Sequence, residues 1–182
     1  MPGLTIRITS QNQDNSSILC QKAQEAMLHM PNYTTKTCLS TEKVFIGYVA
    51  YPEYPIYDLT IDSFKIVIEG KIFNKLKNQV KEFLISLTSI IRNDPGKITE
   101  TTEQWILETD GEYVIAIYDQ DKDNFYLFTD PLGRLPIYYF ENKSEFILSR
   151  ECKFINLLQE NPAFDRIAWG QMLWMGWPSG DR

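Results

Sequence analysis

The spacing of apolar and polar positions divides the chain into blocks of helix and strand. Ile18, Leu19, Ala23, Ala26, Met27 and Met30 recur at helical spacing, which predicts a helix over 16–30, capped by Asn15 or Ser16 and stopped by Pro31. Val44 to Tyr51 is β-branched and aromatic and predicts a strand, interrupted by Pro52 and Pro55. Phe64 to Ile68 predicts another, with Glu69-Gly70 as a turn and Lys71 to Asn74 as a short continuation. From Leu76, the residues Val80, Phe83, Leu84, Leu87, Ile90 and Ile91 share one face, the clearest amphipathic helix in the chain, ended by Asn93-Asp94-Pro95-Gly96. A shorter helix is expected over 101–107.

Beyond residue 110 the period changes to two. Tyr113 to Tyr118 and Phe125 to Phe128 read as strands joined by a polar hairpin loop, and Ile137 to Phe140 and Phe146 to Ser149 read as a second hairpin. Helices over 152–158 and 166–175 follow. Strands and helices arrive in blocks rather than alternating, so the fold class is α+β, with two antiparallel sheets covered by helices on their outer faces.

The 182 residues, 43% hydrophobic and 23% charged, suit one domain with a sizeable core. A net charge of −6 without a basic patch argues against a nucleic-acid partner. No apolar run approaches the roughly 18 residues needed to span a bilayer, and the start Met1-Pro2-Gly3-Leu4 is no signal peptide. Neither a membrane partner nor export is expected. Cys20, Cys38 and Cys152 form no disulfide framework, which points to a reducing, cytoplasmic setting.

The single histidine, His29, excludes histidine-based catalysis centred elsewhere and any multi-histidine metal site. Asp119, Asp121 and Asp123 alternate as in a calcium loop but lack the glycine and terminal glutamate such a loop needs, so they read as a hairpin tip and no metal site is expected. Trp169, Leu173, Trp174 and Trp177 form an aromatic cluster that suits either core packing or a docking surface.

The run Asp110-Gly111-Glu112-Tyr113-Val114-Ile115-Ala116-Ile117-Tyr118-Asp119, followed by Thr129-Asp130-Pro131-Leu132-Gly133-Arg134-Leu135-Pro136-Ile137-Tyr138-Tyr139, resembles the glutaminase domains of the asparagine synthetase family. Ile68-Glu69-Gly70-Lys71-Ile72-Phe73-Asn74 resembles that family's Asn-Gly-Glu-Ile-Tyr-Asn segment. The resemblance implies a class II glutamine amidotransferase-like domain over 1–175 with the four-layer αββα sandwich of N-terminal nucleophile hydrolases. Residues 176–182 resemble the start of the linker toward a synthetase domain.

In such glutaminases an N-terminal cysteine is the nucleophile and its own α-amino group the base. Here Pro2 stands at that position, followed by Gly3. By the same resemblance, Glu69 stands where an oxyanion-stabilising asparagine is expected, where a carboxylate would oppose negative charge, and Gly70 could still offer its N–H. The stretch ending at Ala50 lacks the arginine that clamps the glutamine carboxylate, and Thr101 replaces the aspartate that binds the amine. Gly3, Ala50, Glu69, Gly70, Asn74 and Thr101 are thus the expected remnants of a pocket with no catalytic residue.

This pattern resembles β-lactam synthetases and lasso-peptide cyclases, in which the domain is a scaffold beside an adenylating synthetase domain. The expectation is therefore an inactive scaffold, with that C-terminal domain as partner in cis or in trans, and with ATP and Mg required only there. The alternative is a standalone module in which Glu69 receives an amine or a peptide.

Overall fold

The computed structural model describes residues 2–10, 16–159, 162, 163 and 165–177. Leu4 and Ile6 alternate with Thr5 and Arg7 along β1 (Gly3–Thr9), which puts the apolar pair on one face. Helix α1 (Ser16–Glu25) follows, then β2 (Thr34–Ser40), β3 (Val44–Ala50), β4 (Ile56–Ile61) and β5 (Phe64–Ile72). Helix α2 (Lys77–Asn93) and a 3₁₀ turn (Pro95–Lys97) lead to α3 (Ile98–Glu108). The chain continues through β6 (Gly111–Asp119), β7 (Asn124–Thr129), β8 (Tyr138–Glu141), β9 (Glu145–Ser149), α4 (Cys152–Leu158) and α5 (Arg166–Met175).

The strands form two antiparallel sheets, one ordered β2-β3-β1-β9-β8 and the other β4-β5-β6-β7. Leu4, Ile6, Val44 and Ile46 of the first sheet meet Val67, Val114 and Ala116 of the second. On the outer face of the four-stranded sheet, Ile66, Ile68 and Ile115 pack against Val80, Leu84 and Leu87 of α2 and Trp105 of α3. Cys20, Ala23 and Met27 join Phe154 and Ile155 of α4 over Phe45, Val49 and Ile147 on the outer face of the five-stranded sheet. Three apolar layers between four layers of structure make the αββα sandwich expected from the sequence.

Several boundaries differ from the sequence reading. Glu69-Gly70 is no turn: β5 runs through it in unbroken register with β6, from Phe64 opposite Asp119 to Ile72 opposite Gly111. Gly70 allows this by adopting φ +96°, and a Cβ there would lie 1.9 Å from the Glu112 carbonyl oxygen. Helix α1 ends at Glu25 rather than Met30, because the chain tightens into turns in which the Met27 and Leu28 amides donate to the carbonyls three residues back. The expected alternative cap Asn15 and the segment 178–182 lie outside the described residues.

Candidate functional site

Antiparallel pairing places the start of β1 between the ends of two strands, with Gly3 opposite Val49 and Thr5 opposite Ser149. The Arg150 amide extends this pairing by donating to the Leu4 carbonyl at 3.1 Å. Across the sandwich, Ile66 and Ile68 of β5 face α2, so Val67 and Glu69 face the other sheet. Glu69 therefore projects toward the first residues of the chain.

Its carboxylate is fully buried and fully engaged. One oxygen accepts the Leu4 N–H at 2.9 Å. The other accepts the Arg150 Nε–H at 2.9 Å and the Tyr54 hydroxyl. Arg150 is also buried, and its Nη1 donates to the Pro136 carbonyl. Burial, followed by the nearby Glu69 charge, pushes the Tyr54 hydroxyl well above the ordinary tyrosine range.

The polar groups of this cluster are committed to one another. Arginine does not deprotonate, Tyr54 stays protonated, and Glu69 already accepts three hydrogen bonds. Pro2, half-buried just before β1, carries no nucleophilic side chain. A Cβ at Gly3 would lie 2.3 Å from Arg150 Cγ and 2.8 Å from Glu69 Oε1, so the paired side chains fill the space beside the start of the chain.

Backbone groups of the flanking residues are bonded as well. The Gly70 N–H that the sequence left available donates to the Pro55 carbonyl at 2.6 Å. Ala50 is buried at the end of β3, its carbonyl accepting from Thr34 Oγ1 at 3.3 Å. Asn74 lies apart from the cluster: it donates to the Glu108 carbonyl at 3.0 Å and accepts the Asp110 N–H at 2.9 Å, tying the end of β5 to the α3–β6 corner. Thr101 sits on α3, in the helix layer on the outer face of the four-stranded sheet, whereas Glu69 faces inward. The structure thus brings Gly3 and Glu69 together at the inner cluster, keeps Ala50 at the end of β3 and Gly70 beside Glu69 on β5, and leaves Asn74 and Thr101 outside it.

Arg150 and Tyr54 are the members of the cluster that sequence reasoning missed. The available signal was a charge at the end of an apolar strand, Phe146-Ile147-Leu148-Ser149-Arg150, where an unpaired arginine would be costly to bury. Because Arg150 fills the place a cationic ligand would need beside Glu69, such a ligand would have to displace an internal guanidinium.

The neighbouring motifs have structural work. Asp130 is buried and accepts the Leu132 and Arg134 amides at 3.1 Å each, shaping the loop in which Gly133 adopts φ +58°. Asp119 accepts the Asp121 amide and Asp123 accepts the Tyr118 hydroxyl, so these carboxylates hold the hairpin tip. Among the described residues no group of three His, Cys, Asp or Glu side chains could hold a metal, and no helix is long and apolar enough to cross a membrane. Burial raises the Cys20 thiol to about 11, which removes it as a neutral-pH nucleophile. The aromatic cluster near the C-terminus is not core: α5 buries none of its residues.

Comparison with known proteins places this geometry. Residues 49–156, more than half of the chain, match the family model of the glutamine amidotransferase domain. The fold is similar to that of glutamine phosphoribosylpyrophosphate amidotransferase from B. subtilis, solved in complex with ADP and GMP, at a TM-score of 0.54 and 11% identity. That match covers 85% of this chain and 43% of the other, so the chain spans less than half of that protein's length. No curated protein matches in sequence. The two antiparallel sheets and their helices are similar to an N-terminal-nucleophile-hydrolase-type amidotransferase fold, and by the matched model the chain belongs to the glutamine amidotransferase domain family.

Proposed function

We propose that this domain is a catalytically inactive glutaminase-like scaffold within an asparagine-synthetase-like, ATP-dependent, amide-forming enzyme of the cytoplasm. The observation that carries the reading is the engagement of Glu69 by Arg150, Tyr54 and the Leu4 amide, with Pro2 just before β1. A working glutaminase needs a nucleophile, a free base and donors aimed at a developing oxyanion. In this reading Pro2 offers no nucleophile, and the Gly70 N–H is bonded to the Pro55 carbonyl.

In this reading ATP and Mg are handled by a synthetase domain, joined in cis or bound in trans, and α5 is the surface that meets it. The exposed faces of Trp169, Leu173 and Trp174 support that assignment, since so much apolar surface favours coverage. Three free cysteines and no disulfide support a reducing compartment.

The test is incubation with L-glutamine, following ammonia, and separately with a diazo-ketone glutamine analogue, following intact mass. The expected result is no ammonia above the buffer rate and no mass increase. Turnover, or a covalent adduct at the chain start, would overturn the proposal.

A further inference from the structure

On the far side of the four-stranded sheet from Glu69, the edge strand β4 and helix α2 enclose a cavity of about 420 Å³. Elsewhere on the same face, Phe83 of α2 stacks on Trp105 of α3 and meets Phe128 of β7. The floor is aliphatic, made by Leu59 of β4, Ile68 of β5, and Val80 and Leu84 of α2. Tyr57 closes one side, and burial raises its hydroxyl above the ordinary tyrosine range.

The polar part of the lining has one sign. Lys77 and Lys81 stand one helical turn apart on the cavity-facing side of α2, and neither forms an ion pair among the described residues. Among the described residues no carboxylate lines the space. Asp58, between Tyr57 and Leu59, belongs to the opposite face of the strand, where Lys36 and Lys65 hold it. An aliphatic floor beneath two unpaired ammonium groups matches a molecule with an alkyl chain and an anionic head, in a cavity of ordinary small-ligand size.

We propose that this cavity binds a medium-chain alkyl carboxylate, its chain on Leu59, Ile68, Val80 and Leu84 and its head between Lys77 and Lys81. The proposal is independent of the glutaminase reading, because it uses no residue of the Glu69 cluster.

Titration of the ¹⁵N-labelled chain with hexanoate, octanoate and decanoate tests it. Amide shifts should concentrate at Tyr57, Leu59, Val80 and Lys81. Affinity should rise about fourfold per added methylene until the cavity is filled. The exposed double variant Lys77→Gln/Lys81→Gln should keep its fold and bind octanoate at least tenfold more weakly, and octylamine should bind the native chain at least tenfold more weakly than octanoate. The proposal is overturned by shifts centred on Trp169, Leu173 and Trp174, which would mark adsorption to α5. Equal affinity in the double variant, equal binding of octylamine, or no shifts at millimolar octanoate would overturn it too.

Discussion

Arg150, just beyond the end of β9 in one sheet, donates its Nε–H to Glu69 on β5 of the other at 2.9 Å, with side-chain exposures of 5% and 0%. The pair joins residues 81 positions apart and bridges the two sheets. Removing one member leaves a buried, uncompensated charge, which costs about 3–5 kcal/mol. Arg150→Met and Glu69→Gln should each lower the urea-unfolding free energy by about that amount. The double variant should lose less than the sum of the two, because the second substitution removes the stranded charge. A double-mutant cycle at pH 7 checks this, and additive losses would mean the two side chains do not interact.

Two glycines with positive φ should respond very differently to the same substitution. At Gly70 a methyl would meet the Glu112 carbonyl oxygen at 1.9 Å, a backbone atom held in the β5–β6 ladder. Gly70→Ala should cost about 3 kcal/mol or more, through strain and a displaced strand. At Gly133 nothing lies within 4 Å of a new Cβ, so only the left-handed backbone is penalised, at about 1–2 kcal/mol. Unfolding midpoints of the two variants, with unchanged denaturant slopes, should keep that order.

Much of the fold was legible because its elements bury one face. The face running from Val80 to Ile91 gives α2, and period two gives the β6–β7 hairpin. The bounds of α4 and α5 agree with the sequence reading. β2 was missed because Thr34-Thr35-Lys36-Thr37 is a polar stretch on an edge strand, with no apolar face to announce it. β4, also at an edge, was hidden by the preceding Pro55. The apolar alternation of β1 was present in Leu4, Ile6 and Ile8 but was passed over. In the candidate site, Gly3 and Glu69, which the structure brings together, were both singled out from the sequence. The partnership with Arg150 was not, since an ion pair between distant segments leaves no periodic trace.

Asp58 gives the domain a defined acid response. Burial alone would raise its pKa, but hydrogen bonds from Lys36 of β2 and Lys65 of β5 outweigh that and hold the carboxyl below the usual aspartate range. A depressed folded-state pKa stabilises the fold above the unfolded value of about 3.9, and that contribution is lost as pH falls through the folded value. Lys36 is half exposed, so screening keeps the effect near about 1 kcal/mol. Asp58→Asn should therefore be less stable than the native chain by about that amount at pH 7. The two should converge as the pH is lowered below 3.9, as followed by urea unfolding across the range.

Helix α5 is held by its own ends rather than by a core. Asp165 caps it by accepting the Ile167 and Ala168 amides at 2.9 and 3.0 Å, and Gly176 closes it at φ +83°. Leu173 and Trp174 are 78% and 86% exposed, so truncating them removes almost no burial. Leu173→Ser and Trp174→Ser should change the unfolding free energy by less than about 0.5 kcal/mol. Leu84→Ala, at a fully buried position on α2, should cost about 2–5 kcal/mol. Three of the four tryptophans, Trp169, Trp174 and Trp177, lie on α5 or just after it and are exposed. Native emission should accordingly be red-shifted and strongly quenched by acrylamide. Covering by the proposed synthetase domain should shift the emission to the blue and protect it. A loss above about 1 kcal/mol at Leu173 or Trp174 in the chain alone would instead place α5 against its own domain in solution and leave that face unavailable to a partner.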